Sequence, residues 1–355
     1  MDARHLRPRP TARPFAAIAA LLLAVLVAAC STGPTSTPTN APITPYPSVL
    51  QPVTPAATSE PTPAPAFPAA LIDDEGTAIA IPAEPQRIVT LTPAATETLF
   101  ALGVGDRIVG KAEDILLYPP QASAVPDFEK FDGSAVAVDI EKIVAAKADL
   151  VIAGGNYGTP PDAVTKLRDL GIPVVVVYAP TVDGVFTDIE LLGKAVGKTD
   201  EATAISDRMR SEFAAVAAAV AGRPKPRVYY EIDATGAFYG PADKSFLAEM
   251  ISLAGGDPVT TGSPDKYDIP AERLLQQDPE VILLADAAYG VTPEDVAKRP
   301  GWSTMTAVKN NGIRPIDDTT ITRPGPRLFQ GLQLLASTIH PEVVINDSSP
   351  IPPVP

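Results

Sequence analysis

The stretch "DEATAISDRMRSEFAAVAAAVAG", Asp200 to Gly222, holds no glycine or proline between Asp200 and Ala221. It follows Thr199, a residue suited to capping a helix, and stops at Gly222. Twenty-two residues make a helix of about 33 Å, near the width of a small domain. Such a helix is either a stiff connection between two halves of the chain or a surface helix of one α/β domain. Periodicity alone leaves both open.

Outward from it, apolar runs suited to buried parallel strands alternate with helical patterns. Arg87 to Leu91, Leu150 to Ala153 and Val174 to Tyr178 lie before the helix; Val228 to Ile232, Val281 to Leu284 and Ile313 to Ile316 lie after it. A βαβα order argues for parallel sheets covered by helices on both faces. The two halves also share a phrase: "EKIVAAKADLVIAGGNYG", Glu141 to Gly158, is answered by "ERLLQQDPEVILLADAAYG", Glu272 to Gly290. In the first twelve positions only Glu141/Glu272 is identical, but seven more keep their class, among them Asp149/Glu280. Each copy reads as a short helix opening at its Glu, a turn, a buried strand and a loop with Tyr-Gly. Open α/β sheets bind ligands at the loops on the carboxyl ends of their strands, so two facing lobes put Tyr157 and Tyr289 on opposite walls of a cleft.

The chain begins with Arg4, Arg7, Arg9 and Arg13, followed by an uncharged apolar run from Phe15 to Ala29. Residues 1–29 therefore read as a secretory signal. Fifteen apolar residues are too few to span a bilayer, which needs about 20. The run closes on "LVAAC", which resembles a bacterial lipobox. That resemblance implies cleavage before Cys30 and lipid on its thiol. Cys30 is the only cysteine, so no disulfide forms within the chain. Ser31 to Ala70 holds eleven prolines and eight threonines, a composition that cannot offset its ordering entropy. Residues 30–70 are expected to form a disordered tether reaching on the order of 120 Å.

The formal net charge is −14, and Met1 to Ala29 contributes four arginines against one aspartate, leaving the remainder near −17. That balance excludes nucleic acid as a partner, since binding a polyanion relies on a basic footprint. It suits a basic partner instead. Beyond the signal the one histidine is His340, and no GxSxG, HExxH or Walker loop occurs. Asp73-Asp74 and Asp317-Asp318 read as solvated turns. No enzyme is expected. Zinc and manganese receptors favour clustered imidazole or thiolate, which this chain lacks, so a bound metal is expected to arrive wrapped in a chelator, porphyrin or corrin. No cofactor and no resident metal are expected.

Five stretches, in this order, resemble the substrate-binding proteins of ABC importers for iron-siderophore, haem and cobalamin. They are "RIVTLTPAATETLFALGVGDRIVG" (Arg87 to Gly110), "YPP" (Tyr118 to Pro120), "DIEKIVAAKADLVI" (Asp139 to Ile152), "LAGGDPV" (Leu253 to Val259) and "ITRPGPRL" (Ile321 to Leu328). The resemblance spans about Ala78 to Pro341. It implies an α/β fold of two Rossmann-like lobes with central parallel sheets, joined by a single long backbone helix. The boundaries expected are 71–198 for the N-terminal lobe, 199–222 for the helix, 223–341 for the C-terminal lobe and 342–355 for a disordered tail. It further implies that Glu141 and Glu272 dock an ABC permease dimer, which works with its ATPase subunits. The same resemblance, with the repeat, makes Phe131, Tyr157, Tyr239, Tyr289 and Arg323 the candidates for the cleft. The ligand expected is an iron-siderophore or a cobalamin-type chelate, with haem or a bare metal ion as the alternative. The place of work is outside the cytoplasmic membrane, through lipid on Cys30.

Overall fold

A computed structural model describes residues 66–114, 118–131, 135–156 and 158–345. The signal, Cys30 and Tyr157 lie outside these residues.

A hairpin opens the described chain, β1 (Ala69–Ile72) against β2 (Ala78–Ile81). There follow β3 (Ile88–Thr90), α1 (Pro93–Ala101), β4 (Ile108–Ala112), β5 (Asp127–Phe131), β6 (Val136–Val138) and α2 (Ile140–Ala145). The lobe ends with β7 (Leu150–Gly154), α3 (Pro161–Asp169), β8 (Val174–Val177) and α4 (Val182–Val196). The six-stranded sheet runs β6-β5-β4-β3-β7-β8, parallel except for the edge strand β6. The chain enters at β3, builds outward through β4 and β5, then returns to β7 on the other side of β3. That reversal between β3 and β7 is the switch point at which open α/β sheets offer a crevice.

The second sheet is smaller and repeats the plan. Its elements are β9 (Arg227–Glu231), β10 (Phe238–Tyr239), α6 (Phe246–Leu253), β11 (Asp257–Pro258), β12 (Asp268–Ile269), α7 (Ala271–Gln277), β13 (Val281–Leu284), α8 (Pro293–Ala297), α9 (Thr306–Lys309), β14 (Ile313–Pro315) and α10 (Leu328–Ile339). Four parallel strands run β11-β9-β13-β14, with the reversal between β9 and β13. The six runs read as strands from sequence are β3, β7, β8, β9, β13 and β14. The two copies of the shared phrase are α2–β7 and α7–β13, and each strand pairs with the first parallel strand of its own sheet across the switch point.

Between the sheets lies α5 (Thr199–Val220), twenty-two residues long, with Lys198 at its N-cap and Thr199 already helical. It packs on α4 from one lobe and on α6 and α10 from the other. Met209, Phe213, Val216 and Val220 on α5 share one buried core with Phe186 and Ile189 of α4 and with Met250, Leu332 and Leu335 of the second lobe. Phe186 meets Phe213 edge-on, with ring centroids 5.7 Å apart. A core that runs unbroken through the connecting helix resists relative motion of the lobes, because close-packed interiors have discrete arrangements and little compressibility.

Three sequence expectations need correction. Asp73 is no solvated turn residue: it is buried, accepts backbone N–H groups of Glu75, Thr77 and Val176, and pairs with Arg168 at 2.7 Å. Its carboxylate ties the opening hairpin to β8, a contact between residues about a hundred positions apart that composition does not reveal. Residues 66–70, expected within the tether, belong to the fold, since β1 begins at Ala69 and Phe67 packs against the core. Residues 342–345, expected within a disordered tail, belong to the fold, because Val343 is buried and Ile345 packs on the same core.

Candidate functional site

The carboxyl ends of β3 and β7 open into a cavity of about 390 Å³. On one side stand Thr92 to Ala95 and Thr98 of α1, the glycines Gly154, Gly155 and Gly158, and Asp188 and Leu192 of α4. Thr319, Thr322, Arg323 and Pro324, from the loop after β14, close the other side. The carboxyl ends of both sheets therefore face one cleft, and the cavity lies where the lobes meet.

Local sequence explains the wall from the first lobe. Thr92 caps α1, its hydroxyl accepting the Ala95 N–H at 3.0 Å, and Pro93 takes the first helical position, where a missing N–H costs nothing. Glycine ends β7 because a Cβ on Gly154 would lie 2.7 Å from Thr92 Cγ2. Tyr178 follows the four valines of β8 and keeps its ring exposed, its hydroxyl accepting from Asn156 Nδ2 at 3.0 Å. Asp188 is buried on α4. Burial first, then the neighbouring Asp74 carboxylate, push its pKa up to about 9. At neutral pH it is a neutral acid beside Asp74, which itself accepts the Tyr178 N–H. Behind the glycine loop, burial pushes Glu129 up to about 8, opposed by the Thr159 hydroxyl.

Arg323, nominated from sequence, lines this cavity but is already engaged. Its Nη1 and Nη2 donate to Asp114 Oδ2 and Oδ1 at 3.0 and 2.8 Å, and Glu97 Oε2 lies 4.0 Å away. Arg327 donates to Glu97 at 2.8 Å and lies 3.3 Å from the Tyr118 ring centroid. Two arginines of one lobe thus meet two carboxylates of the other. Among the described residues Arg323 is the only cation lining the cavity.

The remaining candidates sit around the carboxyl ends of the sheets. Phe131 ends β5 and is exposed. Tyr289 ends the turn after β13 and is 82% exposed, open to a ligand rather than packed in its own loop. Tyr239 is half-buried in the antiparallel β10–β12 pair, and its carbonyl accepts the Tyr229 hydroxyl at 3.0 Å. Tyr157 lies outside the described residues, so the tyrosine pair is seen from one side only. Glu141 and Glu272 stand in the first turns of α2 and α7, both exposed, and neither makes an ion pair among the described residues.

Sequence reasoning missed a second polar cluster, at the switch point of the smaller sheet. Glu231, fully buried at the end of β9, takes a bidentate pair from Arg299 at 2.5 and 2.8 Å. Arg299 lies over Phe238 and Trp302 at 5.2 and 4.6 Å. Asp286, buried beside them, has no hydrogen-bond partner for its carboxyl oxygens among the described residues. Burial and then the Glu231 carboxylate push it up to about 6. Missed too were Asp188, which sits in an ordinary amphipathic helix, and Asp114, whose partner is 209 positions away. Thr92-Pro93 and Tyr178 were readable, the first as a helix start and the second as an aromatic at a strand end. Among the described residues no three or more His, Cys, Asp or Glu side chains converge as a metal site.

A family model described as periplasmic binding protein matches residues 88–320, from β3 to beyond β14. The chain is 29% identical over 281 residues to an uncharacterized ABC transporter substrate-binding lipoprotein of Bacillus subtilis, spanning 78% of this chain and 87% of that one. It is 30% identical over 305 residues to a cobalamin-binding protein of Halobacterium salinarum, spanning 82% and 79%. The solved periplasmic vitamin B12 binding protein of Vibrio cholerae superposes with a TM-score of 0.62 at 26% identity, covering 72% of this chain and 96% of that one. With both parallel sheets and the helix between them inside the matched region, the chain belongs to the periplasmic binding protein family.

Proposed function

We propose that this protein is the extracytoplasmic substrate-binding component of an ABC importer, and that its cleft captures a metal chelate of the corrinoid class. The observation that carries the ligand class is the interlobe cavity, walled by Pro, Ala, Gly, Val, Ile and Leu together with threonine hydroxyls, Tyr178 and the neutral Asp188, in which the single cation among the described residues is paired to carboxylates. Anionic chelates want free guanidinium or ammonium groups. A neutral ligand with a large apolar face and amide edges suits this wall better. About 390 Å³ accommodates one part of such a ligand, and exposed aromatics such as Tyr178 and Tyr289 supply further contact at little entropic cost. The likeness to a relative named as cobalamin-binding supports the same class.

In this reading no chemistry is done on the ligand. Cys30 carries lipid that holds the protein at the membrane surface. Glu141 and Glu272, exposed and without ion-pair partners among the described residues, offer two matching carboxylates to basic residues of the permease dimer, whose ATPase subunits drive uptake.

Titration of the purified protein with cyanocobalamin, haemin and a neutral ferric trihydroxamate, read by absorbance and by melting temperature, tests the proposal. A ligand of the folded state adds RT ln(1 + [L]/Kd), about 2.7 kcal/mol at a hundredfold excess over Kd. Cyanocobalamin is expected to raise the melting temperature. A shift with haemin alone would replace the corrinoid reading by a haem receptor, and no shift with any of the three would sink the chelate reading.

A further inference from the structure

The charge of the cleft depends on a contact outside it. Arg323 is the one cation among the described residues that line the cavity, and both of its terminal nitrogens are committed to Asp114, with Glu97 behind. The side chains of Arg323, Asp114 and Glu97 are 9, 7 and 3% exposed, so little water screens the pairing. Arg327 satisfies Glu97 through its guanidinium and its backbone N–H, at 2.8 and 3.1 Å, which leaves Asp114 as the principal counter-charge of Arg323. Two arginines and two carboxylates give a network with no net charge. Without Asp114 it would carry one positive charge at the cavity wall.

We propose that Asp114 is a specificity-determining residue: by holding Arg323 in a bidentate ion pair it withdraws the one cation among the described residues lining the cavity from anionic ligands and leaves a site selective for neutral ones. This rests on the reading that the interlobe cavity holds the ligand. Asp114 touches no ligand in this scheme; it acts through Arg323. The selectivity is of the negative kind, in which the wrong ligand is refused because it finds no partner for its charge. A merely structural brace between the lobes predicts something else, since losing it would disturb neutral and anionic ligands alike.

The experiment compares Asp114→Asn, Arg323→Gln and the double variant with the unaltered protein. Three probes are titrated: cyanocobalamin as the neutral chelate, haemin for its two carboxylates, and a ferric tricatecholate for its negative iron centre. The amide at position 114 keeps the size of the carboxyl and removes its charge. Asp114→Asn is expected to bind haemin or the tricatecholate at least about tenfold tighter, with the gain shrinking as salt is raised, while its behaviour toward cyanocobalamin is unchanged. The double variant is expected to lose the gain, because the freed cation is gone. No gain with either anion, a gain that survives in the double variant, or an equal change for the neutral probe would each overturn the proposal. If Asp114→Asn fails to melt cooperatively, Asp114→Ser, which also removes the carboxylate that holds Arg323, gives the same comparison. Failure of the unaltered protein to bind cyanocobalamin would refute the corrinoid reading and leave this contrast between variants intact.

Discussion

Asp149 Oδ1 accepts the backbone N–H of Arg87 at 2.9 Å, while the Asp149 N–H donates to the Arg87 carbonyl at 2.9 Å. The second lobe repeats this clasp between Glu280 and Arg227, at 3.0 and 2.8 Å. In each lobe the arginine side chain then reaches carbonyls near the end of the helix before the strand: Ala146 for Arg87, and Gln277 and Asp278 for Arg227. The arginine opens the first parallel strand of its sheet and the acid immediately precedes the strand that pairs across the switch point. The clasp therefore fixes the register of the two strands whose ends form the cleft.

Loss of the acid is expected to loosen that register. Asp149→Ala leaves the N–H groups of Gln86 and Arg87 to water, and Glu280→Ala does the same for Arg227. Each is expected to lower unfolding free energy by about 1–2 kcal/mol. Glu141→Ala, which removes only a helix-dipole contact, is expected to cost under about 1 kcal/mol. Urea denaturation of the three variants checks the ranking, and equal losses would contradict it.

This clasp also shows what the sequence could disclose. The shared phrase preserves Asp149/Glu280 as a class match because a local unit, helix then turn then strand, carries its own pattern. The connecting helix was legible for the same reason: Asp200 to Ala221 contains nothing that would stop it. The strands β4, β5 and β6 were not read out, being short and mixed with polar residues. What positions the cleft charges was hidden for a different reason. Asp114 with Arg323, Glu97 with Arg327 and Asp73 with Arg168 join residues 209, 230 and 95 positions apart, and a lone carboxylate carries no mark of the partner that buries it.

Glu141 and Glu272 separate docking from capture. Both are exposed in the first turns of α2 and α7 and neither lines the cavity. The double variant Glu141→Ala, Glu272→Ala is expected to bind ligand with an unchanged dissociation constant and to lose ligand-stimulated uptake in vesicles holding the permease. Equal loss of binding and uptake would assign these residues to folding instead.

Asp188 makes stability fall with rising pH. Its folded pKa, about 9, lies above its ordinary value of 3.8, so the folded state holds the proton that the unfolded chain releases. The contribution is intact below about pH 4 and is lost progressively as pH rises toward 9. Asp188→Asn keeps a neutral donor beside Asp74 and removes the ionisation. At pH 8 the variant is expected to be more stable than the unaltered protein by at least about 1 kcal/mol, with a melting temperature a few degrees higher, and at pH 4 the two should coincide. Glu129 contributes with the same sign to both proteins and cancels. Parallel curves of melting temperature against pH would refute the assignment.

Arg299 is the counter-charge for two buried acids, and its removal should expose the titration of Asp286. Glu231 is paired to it directly, while Asp286 lies beside them with no donor of its own and is pushed up to about 6. Breaking one partner of a buried ion pair costs on the order of 3–5 kcal/mol, because the remaining charge is left uncompensated. At pH 5 Asp286 is mostly protonated, so Arg299→Gln strands only the Glu231 carboxylate. At pH 8 the unaltered protein holds Asp286 ionised beside Arg299, and without the guanidinium that acid must either stay charged against Glu231 or take up a proton. The loss in unfolding free energy is therefore expected to be larger at pH 8 than at pH 5. Adding Asp286→Asn should abolish that difference without restoring the loss common to both pH values. Urea denaturation of the single and double variants at the two pH values checks this. A pH-independent loss in Arg299→Gln would mean that Asp286 is already neutral throughout the range, held so by burial alone.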